Sequence, residues 1–462
     1  MKTKLTKLIV TAAAVSMIAA VLVFAAGNMT SFQNRMGGQT QAGSQIQMNG
    51  QMQKGQMSGG QMGGQMGGMQ SNVTYASEPS EIVTSDIVNT ASALTADLKN
   101  AETIKMSASE KEVTISEAGT YIVTGTCSDG NITVKKGVTG VVLVLKDLDL
   151  TSTTGAALSC NKGSEVKIVI EGTVKLTDAE DPADETSTDT TVADAFDGAA
   201  IKVKDGANVC LTGDGTLTID ASSCKNGIKI GDADTPSFVI DGDLTLNITA
   251  ANDAINGGYD VTILNGTVNI TAGDDAIHAD RILTIGSEDG DGPQINIKKS
   301  TEALEGTVVN LFGGEGTLNA SDDAVNAANS DGTYTGVLAY SINITGGEWT
   351  IKCSGDGLDS NQNVNITGGS VTITAGTTAG EAGIDYDGTC YVAEGTLTNN
   401  SGVSGPDMMG GMMGGPGQMQ GGTMSGAGQM QGGANQQFGS QMNGGQMRGQ
   451  MPGSGMQGEF RR

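Results

Sequence analysis

Between residues 78 and 400, apolar and polar side chains alternate in short runs such as VVLVLKDLDL, EVKIVIEGTVKL, VTILNGTVNITA and VNITGGSVTITA, each broken by Gly, Asn or Asp. Alternation with period two places successive side chains on opposite faces of a strand, and the breakers mark turns. Helical periodicity is confined to Ile87–Ile104, IVNTASALTADLKNAETI, which predicts a helix suited to capping one end of a stack.

The runs repeat. A small residue followed by an aliphatic one recurs as GAALS, GAAIK, KNGIK, NDAIN, DDAIH, TEALE, DDAVN, DGLDS and AGIDY, with Leu158, Ile201, Ile228, Ile255, Ile277, Leu304, Val325, Leu358 and Ile384 in register. From Ile201 onward the steps are 21 to 33 residues, the spacing of a solenoid or an array. Most steps are followed by two more short strands, so each repeat holds three. That fits one coil of a parallel β-helix, whereas a propeller blade needs four strands and a longer repeat. The aliphatic file is expected to stack as core. The step from Leu158 to Ile201 is longer, and its excess, Asp178–Asp197, is acidic and strandless, which predicts a surface loop.

The same alignment stacks oxygen-bearing side chains. Two places before the aliphatic residue stand Asp253, Asp275, Glu302, Asp323 and Asp356; one place after it stand Asn256, His278, Glu305, Asn326, Asp359 and Asp385; Asp274 and Asp322 add a further acid in two repeats. An Asn/Asp turn ladder accounts for one acid per coil. Acids paired within a coil and stacked ~4.8 Å apart repel by about 3.5 kcal/mol at an effective dielectric of 20, a cost that a cation offsets. Calcium takes six to eight oxygens in tolerant geometry. The expected ligands are therefore Asp253, Asp274, Asp275, Glu302, Glu305, Asp322, Asp323, Asn326, Asp356 and Asp359, with Ca2+ as cofactor. His278, the single histidine, is expected to be a polar rung, since imidazole suits softer metals.

Outside the body the composition changes. Residues 27–77 and 401–462 are built largely of Gly, Gln, Met, Ser and Asn and cannot bury a core, so both are predicted to be disordered arms. Soft-metal binding by their methionine thioethers is a lesser alternative; spacing the body from a cell surface is another. Residues 1–26 carry Lys2, Lys4 and Lys7 ahead of an apolar run, an export signal that makes the protein secreted or surface-bound; the run is also long enough to serve as an uncleaved anchor. With 51 acidic and 25 basic residues the net charge is −26, which repels phosphate and argues against a nucleic-acid partner. The six cysteines lack metal-type spacing, and several fall inside strand-like runs, where a buried free thiol is expected.

The phrases IVIEGTVKLTD, GAAIKVKDGANVCLTGDGTLTI, NDAINGGYDVTILNGTVNITAGDDAIHAD and GDGLDSNQNVNITGGSVTITA, in that order, resemble the secreted bacterial carbohydrate-binding β-helix proteins of the pectate-lyase-like superfamily, known mainly from clostridia. The resemblance covers about residues 80 to 400. It implies a right-handed parallel β-helix with several calcium ions that binds plant cell-wall polysaccharide, cellulose and polygalacturonate among them. Asp274-Asp275 with His278, and Asp322-Asp323 with Asn326, are similar to the calcium-binding Asp-Asp-x-x-Asp of one pectate lyase family, but the last acid is replaced in both.

Three functions follow as expectations. The first is a non-catalytic, calcium-dependent polysaccharide-binding protein. Its surface is poor in aromatic platforms, with Trp349, Tyr259, Tyr334, Tyr340, Tyr386 and Tyr391 in the body, which favours a cation-bridged uronate over bare cellulose. The second is a pectate-type lyase working by β-elimination, for which Arg281 is the candidate base and Lys298, Lys299 and Lys352 are alternatives. The third is a structural adhesin or matrix protein tethered by its arms.

Overall fold

Strand pairing follows the repeat. The computed structural model describes residues 75–180, 198–231, 237–288, 292–328, 335–376, 381–401 and 404–405. The expected export signal, the arm up to residue 74, the acidic insert from 181 to 197, Tyr334, and nearly all of the tail lie outside the described residues.

The described chain is all-β, and its strands pair in parallel, each with a strand about one repeat further on. Three series of strands result. The first carries the aliphatic step, and its register is the one the spacing predicts: Leu158 pairs with Ile201, Ile201 with Ile228, Ile228 with Ile255, Ile255 with Ile277, and the file continues through Leu304, Val325 and Leu358 to Ile384. The second runs through Asn208–Gly213, Ser237–Ile240, Asp260–Ile263 and the second half of Ile277–Ile285. The third runs through Thr216–Ala221, Thr245–Ala250, Thr267–Thr271 and Gln294–Lys299.

One coil cannot bury its own inward face. Stacking joins those faces into a single apolar cluster reaching from Met106 to Cys390. A strand such as Glu165–Glu171 buries only alternate residues, as a half-solvated face requires. Several strands depart from that rule: Leu304–Leu311, Ser237–Ile240 and Ser341–Ile344 are buried at every position, and Ile277–Ile285 at every position but Thr284. Their outward side chains are covered, and the cover is of two kinds: a strap of polypeptide over the second series and a crowd of carboxylates over the first.

The strap replaces the predicted helix. Residues 87–104 form only a single 3-10 turn at Ala91–Ala93 and then the strand Glu102–Met106. Among the described residues no helix is long and apolar enough to cross a membrane. Residues 76–94 instead run across the coils from the last towards the first. Ala76 N–H donates to the Cys390 carbonyl at 2.7 Å, Ser80 N–H to Asn365 Oδ1 at 2.9 Å, Asn310 Nδ2 to the Val83 carbonyl at 2.9 Å, Asn89 Nδ2 to the Val209 carbonyl at 2.9 Å, and Lys167 Nζ to the Leu94 carbonyl at 2.8 Å. Helix propensity is a weak prior, and here the stacked outward amides offer partners that a helix would forgo.

Beneath the strap, Asn343 Nδ2 donates to Asn310 Oδ1 and Asn365 Nδ2 to Asn343 Oδ1, each at 2.8 Å, and all three side chains are fully buried. A matching file links Asn247, Asn269 and Asn296 on the third series. The strand phrase NIT thus serves inter-coil amide ladders. All six cysteines are free thiols; Cys127, Cys160, Cys210 and Cys390 are buried within strands, Cys224 is buried outside one, and Cys353 is half-buried.

Candidate functional site: two carboxylate groups on one face

The residues one place after the aliphatic step form a continuous rung file, Asn256–His278–Glu305–Asn326–Asp359–Asp385, paired coil to coil. The acids two places before the step stack beside it through the next coil's backbone. Asp275 N–H donates to Asp253 Oδ1 at 3.1 Å, Asp356 N–H to Asp323 Oδ1 at 2.6 Å, and Ala382 N–H to Asp356 Oδ1. The turn ladder therefore exists, but it runs between coils and occupies one oxygen each of Asp253, Asp323 and Asp356. Close stacking depends on glycine at the corner: a Cβ on Gly355 would collide with the Asp323 carboxylate and the Asp322 backbone.

The remaining oxygens gather in two groups. In the first, Asp275, His278 and Glu305 bring their ligand-type atoms within 4.8 Å of one another. His278 Nδ1 lies 2.6 Å from Glu305 Oε2 and 3.5 Å from Asp275 Oδ2, while Nε2 lies 2.8 Å from Asp280 Oδ1. Burial opposes charge on the imidazole, yet the hydrogen bonds it donates to Asp275, Asp280 and Glu305 hold its pKa well above 6.5. Burial also pushes Glu305 up, but the His278 hydrogen bond and charge outweigh it and keep that carboxyl below its ordinary range. The first group thus carries its own cation, an imidazolium held between carboxylates on both ring nitrogens.

The second group spans three consecutive coils. Asp323, Asp356 and Glu381 converge within 4.8 Å, and so do Asp356, Asp359 and Asp385. Burial, reinforced by the neighbouring acids, pushes Asp323 up to about 6, Asp356 to about 7 and Asp359 to about 7. Between the groups Glu302 is pushed up to about 8 by burial and by Glu305, Asp275 and Asp323, while Asn326 Nδ2 donates to its Oε2 at 3.0 Å. The other amide atom, Asn326 Oδ1, is buried without a hydrogen-bond partner. A file of oxygens that resists ionisation, with an orphaned carbonyl in it, suits a hard cation.

Of the ten expected ligands, Asp275, Glu305, Asp323, Asp356 and Asp359 stand in these groups. Asp253, Glu302 and Asn326 stand beside them on the same face, whereas Asp274 and Asp322 are exposed and belong to neither. Reading by sequence alone left out Glu381 and Asp385 as ligands and did not foresee the contact of Asp280 with His278. Asp385 was on the rung file, and Glu381 sits three places before Ile384, the position of Asp274 and Asp322, so spacing could have found both.

Arg281 is engaged elsewhere. Its Nε donates to Asp260 Oδ1 at 2.7 Å, and its Nη2 donates to Asp260 Oδ2 at 2.6 Å and to Asp86 Oδ1 at 2.9 Å. The guanidinium also lies 4.5 Å from the Tyr259 ring centroid. Burial works against its charge, but the Asp260 contact outweighs that and holds it protonated, which suits a structural cation rather than a base. The alternative bases Lys298, Lys299 and Lys352 include no buried residue.

Comparison with known proteins adds the class. The family described as carbohydrate-binding domain-containing protein matches residues 109–382 and again 291–425. The chain belongs to that carbohydrate-binding family. A member described in the same words from Acetivibrio thermocellus is 34% identical over 162 residues, 33% of this chain and 52% of the relative, so the chain spans about half the length of the relative it matches. A solved structure, titled as the polysaccharide lyase-like protein from C. thermocellum in a gadolinium derivative, is 24% identical with a TM-score of 0.36, covering 64% of this chain and 98% of the other. The strap, over residues 76–94, precedes the stretch that the family matches.

Proposed function

We propose that the chain is a secreted or surface-bound, right-handed parallel β-helix that holds acidic polysaccharide through calcium and performs no bond cleavage. The observation that carries this reading is the second group: Asp323, Asp356, Asp359, Glu381 and Asp385 converge from three coils, one rung from the orphaned Asn326 oxygen. Its donors are all oxygens, as calcium requires, and the bound ion would leave positions for a uronate carboxylate. The first group fits a metal less well, because the His278 imidazolium already offsets part of its charge and imidazole is a softer donor. Lyase chemistry loses its candidate base to the Asp260–Arg281–Asp86 contacts.

Co-sedimentation with polygalacturonate, in calcium and in chelator, tests the reading. The wild type is expected to pellet only with calcium, and Asp356→Asn with Asp359→Asn to abolish pelleting. Equal pelleting in chelator, or release of unsaturated uronides from the polymer, would overturn it.

A further inference from the structure

We infer that the groove between the strap and the second strand series is a separate subsite for a neutral pyranose ring. The groove has a volume of about 430 Å3, inside the roughly 300–1,000 Å3 range of small-ligand clefts. It is lined by Asp86, Ile87 and Val88 of the strap together with Gly206, Asn208, Tyr259 and Arg281. Four distant segments meet there, and the strap wall comes from residues that the family match does not reach.

Its chemistry is that of sugar recognition. Val88 is 74% exposed and offers apolar surface to the C–H face of a ring; the half-buried Tyr259 lines the groove beside it, held by the guanidinium stacked upon its ring. Asp86 keeps 83% of its side chain exposed although Arg281 fixes one of its oxygens, so an ionised, pre-oriented carboxylate faces the groove to accept from hydroxyls. Arg281 commits Nε and Nη2 to the two aspartates and reaches the groove with 10% of its side chain exposed. A Cβ on Gly206 would meet nothing, so the wall there is open for a chain to continue past the ring.

Charge decides between sugars. The one guanidinium at the groove is already paired with two carboxylates, Asp86 at the groove and the buried Asp260 behind it, and the whole chain carries a net charge of −26. A uronate would bring a third carboxylate with no cation left for it, whereas a neutral hexose brings only hydroxyls. Acidic polymer is thus assigned to the calcium face and neutral polymer to the groove. The inference rests on the carbohydrate-binding reading above and extends it to a second, metal-independent contact.

Calorimetric titration of the full chain with a β-1,4-linked glucose hexamer and an α-1,4-linked galacturonate hexamer, each in calcium and in chelator, tests it. The glucose hexamer is expected to bind equally in both buffers and roughly tenfold more weakly to Tyr259→Ala. Val88→Glu, a change at an exposed position that leaves the core untouched, is expected to weaken it similarly without altering galacturonate binding. Glucose-hexamer binding unchanged in both variants would overturn the subsite. Galacturonate binding without any glucose binding would overturn it while leaving the calcium reading intact, and failure of both sugars to bind would overturn the two together.

Discussion

Arg281 and Asp86 lie 195 residues apart in sequence and 2.9 Å apart in space. The contact ties the strap to the middle of the coil stack, and behind it Asp260 takes the other side of the guanidinium with 4% of its side chain exposed. Arg281→Ala would leave that aspartate buried without its cation, a change that costs roughly 3 kcal/mol. Denaturant unfolding should show the loss. A lyase base in this position would instead lose activity at unchanged stability.

The second carboxylate group makes metal-free stability depend on pH with a defined sign. Asp323, Asp356 and Asp359 have pKa values of about 6, 7 and 7 in the folded state, above the ~3.9 of an unfolded aspartate. The native chain therefore holds more protons than the unfolded chain between about pH 4 and those values, and stability is lost as pH rises through that window. In chelator the Tm should fall from pH 5 to pH 8. Calcium binds the ionised form, so its addition should raise Tm more at pH 8 than at pH 5. A chelated Tm that rises with pH would contradict the clustering.

His278 works in the same direction for a different reason. Its raised pKa means that the imidazolium's contribution is complete below about 6.5 and is lost as pH climbs through the folded-state value. His278→Ala, which strips Glu305 and Asp280 of their shared cation, is expected to cost roughly 3 kcal/mol at pH 6. The gap between variant and wild type should narrow towards alkaline pH in urea titrations.

The amide file under the strap is expected to be intolerant of truncation. Asn343→Ala removes the acceptor for Asn365 and the donor for Asn310 in a fully buried row, at about 1–3 kcal/mol for each group left unsatisfied. The strap should then open early: limited proteolysis between residues 76 and 94 is expected to quicken in this variant, whereas cleavage there at the wild-type rate would show that the file and the strap are independent.

Much of the architecture was legible because a stacked coil is a local rule repeated. The aliphatic file from Leu158 to Ile384 and the rung file from Asn256 to Asp385 follow from spacing, since each coil must present the same inward residue to its neighbour. Side-chain direction at the corners does not obey that rule. Asp274 and Asp322 share a position with Glu381, yet only Glu381 turns into a carboxylate group. The helix expected over Ile87–Ile104 failed because the pattern of a short segment does not record what lies across from it.

The sequence by itself determined the strand series, their register and the core, because period-two alternation and a fixed repeat leave a chain few ways to bury its apolar side chains. Tertiary structure alone decided the course of the strap, the capture of Arg281 by Asp86 and Asp260, and the division of the acids into a group with its own imidazolium and a group of carboxylates. Those outcomes depend on charges and amides that meet across hundreds of residues, where the energy of an ion or a hydrogen bond is set by burial and distance rather than by neighbours in the chain.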